Sequence, residues 1–320
     1  LDLIPTKNLP EPMAVRKEFW QAFVEFKQNR FTSAKKIWLD LVNSYSPSYY
    51  TWRANVRLGI NNLPRLHGEN LPLVDWPSNN WQPLNSHQAL VNELWRLGLV
   101  KDAWEIWRTK TFLPFSNLDS ANAILVDSRL RMSVQDEWMG LHKLQKLSTN
   151  LVGLNCYKRQ LLHKSQYPYR FLYEIEVASR NVGIRSEVLL AIIKEESRFS
   201  PGVKSKVGAI GLMQIMPETA KELTDDIFSL EEVALPSKNI LLGANYMKNL
   251  LERWDGNPFL SLASYNSGPM SVKGWLSEEI DSDPELWVER IPYPETRFYT
   301  KKVLGNLWNY LRPQDKACMS

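Results

Sequence analysis

Glu195 and Glu196 close an apolar stretch that begins at Ser186, and carboxyl groups at a helix end can serve acid–base chemistry. Ser186 can cap a helix running through Glu187-Val188-Leu189-Leu190-Ala191-Ile192-Ile193-Lys194 to Glu195-Glu196. Each helical residue rotates by about 100°, so Leu189 and Glu196 share the apolar direction while Glu195 points roughly 100° away, toward the rim. Glu196 is therefore the carboxyl expected to be buried, and burial raises a carboxyl pKa. A glutamic acid still protonated near neutral pH is what a general acid requires. The competing reading is a helix-end carboxylate paired with Arg198 or a lysine.

After a short loop comes Gly208-Ala209-Ile210-Gly211-Leu212-Met213-Gln214-Ile215-Met216-Pro217. Gly208 and Gly211 allow positive φ and close backbone approach, as a loop hugging a ligand needs. Pro217 suits the first turn of a following helix, Glu218 to Leu223. An acid facing a glycine-hinged loop with a neutral amide is a layout for proton transfer to a glycosidic oxygen. Two further segments stand downstream, Ala263-Ser264-Tyr265-Asn266-Ser267-Gly268-Pro269 and Ile291-Pro292-Tyr293-Pro294-Glu295-Thr296-Arg297-Phe298-Tyr299. Tyr265 offers a hydroxyl that can donate to Glu196 or orient a substrate. Met213, Ile215 and Met216 also suit a core, and Glu295 could simply pair with Arg297 or Lys301.

These four segments, in this order and spacing, resemble the catalytic domain of soluble lytic transglycosylases. These are enzymes of the lysozyme-like superfamily, related to goose-type lysozyme, that cleave bacterial peptidoglycan. The resemblance runs from about Tyr167 to about Arg312, and Tyr167-Pro168-Tyr169 through Ala178 and Gly183 looks like the first helix of that domain. It implies that Glu196 is the single catalytic acid/base. It implies that Gln214 and Met216 line a sugar cleft, that the Tyr265 hydroxyl lies close to the acid with Asn266 beside it, and that Glu295 is a cleft carboxylate. Ser205 and Tyr299 join this substrate-binding set. Ser264 departs from the pattern, standing where alanine usually precedes the tyrosine, and its small size makes it tolerable.

Most glycosidases use two carboxylates. Here only Glu196 has the position of a buried acid, and the neighbouring motifs offer Gln, Tyr and Asn. The resemblance implies a substrate-assisted, non-hydrolytic cut between N-acetylmuramic acid and N-acetylglucosamine that leaves a 1,6-anhydromuramyl end. It implies no metal or organic cofactor. Two alternatives stand beside it: a goose-type lysozyme-like hydrolase, and a non-catalytic wall-binding or scaffolding protein.

The residues that must carry this site sit in a chain of 320 residues, 44% hydrophobic and 23% charged, as expected of globular domains. The net charge of +4 favours an anionic polymer. Peptidoglycan glycan strands with their stem peptides qualify. Nucleic acid does not, for want of a helix-turn-helix signature, zinc spacing or long basic run. No apolar run approaches the roughly 18–20 residues of a membrane span. The first residues, Leu1-Asp2-Leu3-Ile4-Pro5, lack the features of an export signal. A periplasmic or other envelope location is expected from the resemblance, with envelope proteins as candidate partners of the N-terminal half. Cys156 and Cys318 fit neither a zinc cluster nor a nucleophile motif, and whether they pair is left open.

The expected fold is mainly α. An irregular helical-hairpin domain over residues 1–165 precedes a lysozyme-like catalytic domain over 166–313 and a tail at 314–320. In the first half, helices are expected at Met13–Asn29, Ser33–Val42, Ser48–Leu58, His87–Leu97, Lys101–Thr109, Ser120–Met132, Val134–Lys146 and Leu151–Ser165. Phe31-Thr32-Ser33-Ala34-Lys35-Lys36-Ile37-Trp38 echoes Val100-Lys101-Asp102-Ala103-Trp104-Glu105-Ile106-Trp107, about two 34-residue hairpin periods apart. Asn239–Trp254, Phe259–Ser264 and Arg297–Leu311 are the helices expected to carry the later motifs.

Overall fold

A computed structural model describes residues 9–60, 63–72, 74, 76, 81–110, 120–148, 156–224 and 229–312. It is 69% helix, with no strand among the described residues. The described residues divide into two compact units: those of 9–72, 171–196 and 201–312 form the first, and those of 74–170 and 197–200 the second.

The first unit opens with α1 (Glu11–Lys27), α2 (Phe31–Ser44) and α3 (Tyr49–Arg57). Ser48 caps α3 in a reciprocal box with Thr51. The second unit carries α4 (Ala89–Arg96), α5 (Val100–Lys110), α6 (Ser120–Ser133), α7 (Glu137–Ser148) and α8 (Cys156–Gln166). Its core gathers Leu84, Val91, Ala103, Trp107, Val126 and Leu130. The two echoed octapeptides open α2 and α5. Their matched Ala34 and Ala103 are fully enclosed, as are Trp38 and Trp107. A small residue one turn before a tryptophan lets a neighbouring helix approach while the indole fills the gap beside it.

The chain then returns to the first unit through α9 (Leu172–Val182), which ends at Gly183 in the left-handed conformation, and α10 (Ser186–Glu196). After the loop come α11 (Pro217–Glu222), α12 (Leu230–Ala234), α13 (Pro236–Arg253), α14 (Pro258–Ser267), α15 (Pro269–Lys273), α16 (Glu279–Ser282), α17 (Pro284–Arg290) and α18 (Pro294–Leu311). Six of these eight begin on proline, whose fixed φ and missing N–H cost nothing in a first turn.

Helices α1–α3 thus share a unit with α9–α18. The physical reason is charge as well as packing. Arg53 Nε donates to Glu285 Oε1 at 2.8 Å, and Arg57 Nη2 donates to Glu285 Oε2 at 2.6 Å. Glu285 is fully enclosed, so it depends on both guanidinium groups. The expected tail and Cys318 lie outside the described residues, and the side chain of Cys156 is likewise outside them.

Candidate active site

The run Ser186–Ile193 of α10 is buried on every side, as its near-continuous apolar sequence requires. The burial ends at the last turn. Glu195 reaches the surface, where its Oε1 accepts from Lys302 Nζ of α18 at 2.8 Å. Lys194 Nζ donates to Asn306 Oδ1 at 2.8 Å, so two successive residues tie the end of α10 to α18. Glu196 takes the inward direction and forms no ion pair among the described residues.

Burial pushes the Glu196 carboxyl up to about 8. The Tyr299 hydroxyl acts against the rise, while the negative charges of Glu195 and Glu295 add to it. Glu196 keeps a solvent-accessible edge although its carboxyl is desolvated, a combination suited to a proton donor in a cleft. Beyond it the chain turns through Arg198 at φ 49° and Phe199 at φ 63°, left-handed values that side chains other than glycine adopt at a cost.

The glycine-hinged loop is fixed by polar contacts of its own. Gly208 and Gly211 have φ of 96° and 78°. A Cβ on Gly211 would stand 2.6 Å from Asn239 Nδ2, so only glycine fits there. Asn239, fully enclosed on α13, donates to Ile210 O at 2.9 Å and Val233 O at 3.0 Å and accepts from Met213 N at 2.7 Å. Ser205 Oγ accepts from Ala209 N at 2.9 Å, which makes this serine a turn-former whose hydroxyl proton is still available. Gln214, at φ 49°, donates its amide to Gly211 O at 2.9 Å and Val203 O at 3.1 Å. Both donors serve the loop, leaving Oε1 as the acceptor that a substrate hydroxyl or amide could meet. Met216 is half-buried immediately before Pro217, while Met213 and Ile215 are core.

Helices α14 and α18 supply the remaining residues. Tyr265 OH donates to Met213 O at 2.9 Å, locking the loop to α14. Its single proton is thereby engaged by the loop and not by Glu196, one of the two roles expected for it; the other, orienting a substrate, remains open to its oxygen. Tyr265 still lies within the field of Glu196, which with burial holds its phenol well above the usual range. Asn266 Oδ1 accepts from Thr296 Oγ1 at 2.6 Å, joining α14 to the first turn of α18. Tyr299 is enclosed, and its hydroxyl completes no hydrogen bond of normal geometry. It nevertheless interacts with Glu196, and each shifts the other's proton affinity. This looser approach is common for catalytic contacts before substrate arrives.

Glu295 is exposed in the first turn of α18, and it pairs with neither Arg297 nor Lys301. Arg297 donates to Ile291 O at 2.7 Å and 3.1 Å, and Lys301 Nζ lies 3.0 Å from Glu289 Oε1. Ser264 is more than tolerated: its enclosed Oγ accepts the indole N–H of Trp254 at 2.8 Å, a bond alanine cannot make. Asn239 and Thr296 escaped the sequence reading. Asn239 is a polar residue inside a helical period, and its three partners lie 6 to 29 positions away, which no local pattern shows. Among the described residues, no group of three His, Cys, Asp or Glu side chains is placed to hold a metal ion.

Residues 174–288 match the family described as Transglycosylase SLT domain. The match includes Glu196, Ser205, Gln214, Met216, Tyr265 and Asn266, and stops short of Glu295 and Tyr299. The chain is 36% identical over 151 residues to a soluble lytic murein transglycosylase of Salmonella typhimurium, covering 44% of this chain and 23% of that protein. It is 28% identical over 297 residues to the one of Escherichia coli, covering 90% of this chain and 42% of the relative. The chain thus spans less than half the length of these two relatives. A crystal structure of an inactive mutant of lytic transglycosylase Slt from Pseudomonas aeruginosa superposes with a TM-score of 0.66 at 25% identity, over 94% of this chain and 47% of that one. The 70 kDa soluble lytic transglycosylase of Escherichia coli, at 24% identity and a TM-score of 0.64, shares the fold over 95% of this chain and 47% of its own. With the acid, the loop and α14 inside it, the stretch 174–288 matches the Transglycosylase SLT domain family, and the chain is similar in sequence and fold to soluble lytic murein transglycosylases.

Proposed function

We propose that this chain cleaves the β-1,4 bond between N-acetylmuramic acid and N-acetylglucosamine in peptidoglycan, leaving a 1,6-anhydromuramyl end. The observation that carries the reading is Glu196, a carboxyl whose burial pushes it up to about 8 and keeps it protonated at neutral pH. Glu196 gives its proton to the glycosidic oxygen as the bond from muramyl C1 to that oxygen breaks, and the bonding pair leaves with the N-acetylglucosamine O4. The carbonyl oxygen of the muramyl acetamide adds to C1 and carries the positive charge. The C6 hydroxyl then attacks C1, the acetamide oxygen departs with its electron pair, and the C6 proton passes to Glu196. The acid is restored, so the cycle needs no water and no second base.

Other residues bind and orient. Gln214 Oε1, the Ser205 hydroxyl, Asn266 and Met216 offer contacts along the strand, and Tyr265 holds the loop against the sugar face. Tyr299 faces the carboxyl and favours its ionised form between the two proton transfers. Glu295 is read as a binding carboxylate that also helps keep Glu196 protonated. Hydrolysis is the second reading, because Glu295 is a carboxylate within the field of Glu196 and is open to water. Such a substrate places the protein in the cell envelope. Among the described residues, no helix is long and apolar enough to cross a membrane.

The reading is tested by zymography on isolated cell walls. Glu196→Gln keeps the shape of the side chain and removes the donor, and we expect a loss of about 10²–10⁴-fold. Glu195→Gln should clear the gel at neutral pH to nearly the wild-type extent. Equal clearing by the two variants would overturn the assignment.

A further inference from the structure

Helix α3 contributes no residue to the site, yet it is bonded to the segments that carry it. Trp52 is enclosed, its ring stacked on Phe259 of α14 at 5.9 Å and 18° and tilted against Trp308 of α18 at 6.5 Å. Helix α14 bears Tyr265 and Asn266, and α18 bears Glu295 and Tyr299. A Cβ on Gly305 of α18 would stand 3.1 Å from Tyr49 N, so the two backbones are in near contact. Asn309 Nδ2 of α18 donates to Pro47 O, just ahead of α3, at 3.2 Å.

The polar link is the more specific one. Tyr50 OH donates to Glu289 Oε1 of α17 at 2.6 Å. The same oxygen accepts from Lys301 Nζ of α18 at 3.0 Å, and Lys301 Nζ stands 3.4 Å from Tyr50 OH. Lys301 is buried, and its neighbour Lys302 is the partner of Glu195. Lys301 follows Tyr299 by two residues on one continuous helix. Sliding or rotating α18 at Lys301 therefore moves Tyr299 and Glu295 with it.

We infer that Tyr50, Glu289 and Lys301 form a clasp that sets the register of α18, and that Tyr50 and Lys301 are positioning residues for Tyr299 and Glu295 against Glu196. The inference rests on the reading of Glu196 as the acid. The groups facing Glu196 are Glu195 on its own helix, Tyr299 and Glu295 on α18, and Tyr265 on α14, with Lys302 answering Glu195. Two of these four groups stand on the helix the clasp holds. A loosened α18 also admits water beside the carboxyl, and burial is what raises its proton affinity most. Misplacement of reacting groups by about 1 Å can cost on the order of 10²-fold, so a small change of register is enough to matter.

The test uses the full chain with Tyr50→Phe, which keeps the ring and removes only the hydroxyl, and Lys301→Met, which removes the other end. The first readout is the pKa of Glu196 followed by carbon-13 NMR, which needs no turnover. The second is kcat on peptidoglycan at constant folded fraction. We expect each variant to lower the Glu196 pKa by about half a unit or more and kcat by about tenfold. The double variant should be no worse than either single one, because both break the same clasp. A lower melting temperature with an unchanged Glu196 pKa and unchanged kcat would reduce the clasp to a stability element and overturn the inference, as would fully additive effects. Should either variant fail to fold, Glu289→Gln, which keeps the shape of the side chain and removes the charge that holds Lys301, is read in the same two measurements against the same expectations. If wild-type protein produces no anhydromuramyl ends, the function fails alone, and the NMR titration still decides the clasp.

Discussion

Glu195 and Glu196 are consecutive, yet Glu195 is held by Lys302 at 2.8 Å while Glu196, one helical step away, has no cation partner among the described residues and is pushed up to about 8. The single 100° step between them separates a surface ion pair from a buried acid. A general acid must be protonated, so activity should fall as pH rises through about 8.

That alkaline limb should move in opposite directions in two variants. Glu295→Gln removes a negative charge that raises the Glu196 pKa, and the limb should shift to lower pH. Tyr299→Phe removes the hydroxyl that lowers it, and the limb should shift to higher pH. Profiles of kcat/KM on a soluble glycan measure both. Identical limbs in the two variants would mean that these groups do not act on Glu196.

The same carboxyl carries a stability cost with a definite sign. Its folded pKa lies above the unfolded one, so ionisation opposes folding. The cost is absent below the unfolded value of 4.5, grows as pH rises, and is complete above about 8. Glu196→Gln escapes it. Its melting temperature should exceed that of the wild type by a margin that widens between those limits and then levels off. A margin constant with pH would contradict the buried acid.

Asn239 should be critical to the loop although it touches no substrate. Asn239→Ala takes the partner of Met213 N–H and a donor from Val233 O in an enclosed site, at about 1–3 kcal/mol for each group left unsatisfied, while Ile210 O keeps its bond from Ile215 N. Asn239→Asp keeps the acceptor and loses the donors, and should fall between wild type and alanine. Urea denaturation checks the order, and KM for glycan strands should rise with it because Gln214 and Met216 ride on this loop.

What could be read beforehand follows a physical divide. Helix α10 and the inward direction of Glu196 were legible because a helix repeats its burial every 3.6 residues. The likeness of α2 and α5 was legible because Ala34 with Trp38 and Ala103 with Trp107 solve one packing problem twice. Helices α12, α15, α16 and α17 are four to seven residues long, too short to show a period. The bond from Tyr265 to Met213 spans 52 positions and that from Arg53 to Glu285 spans 232, and pairings set by three-dimensional folding leave no local mark. Hence helix α10 was legible, while the bond of the Tyr265 hydroxyl and the pairing of Arg53 with Glu285 were not.

That pairing bears on any shortened chain. A fragment beginning at Tyr167 would retain every residue proposed for the site but lose α1–α3. It would uncover Trp308 and Phe259 and leave enclosed Glu285 without Arg53 and Arg57. Removing the partners of a buried charge costs about 3–5 kcal/mol. We expect the fragment to melt well below the intact chain and to bind a hydrophobic dye. A fragment as stable as the intact chain would show that residues 166–313 are an independent domain.

The most direct test of the proposed chemistry is mass spectrometry of peptidoglycan digested by the intact protein, before and after borohydride reduction. Capture of C1 by the C6 hydroxyl should give muropeptides lighter by one water than lysozyme products and untouched by borohydride. Full-mass ends that borohydride reduces would contradict it and make Glu295 the base of a hydrolase.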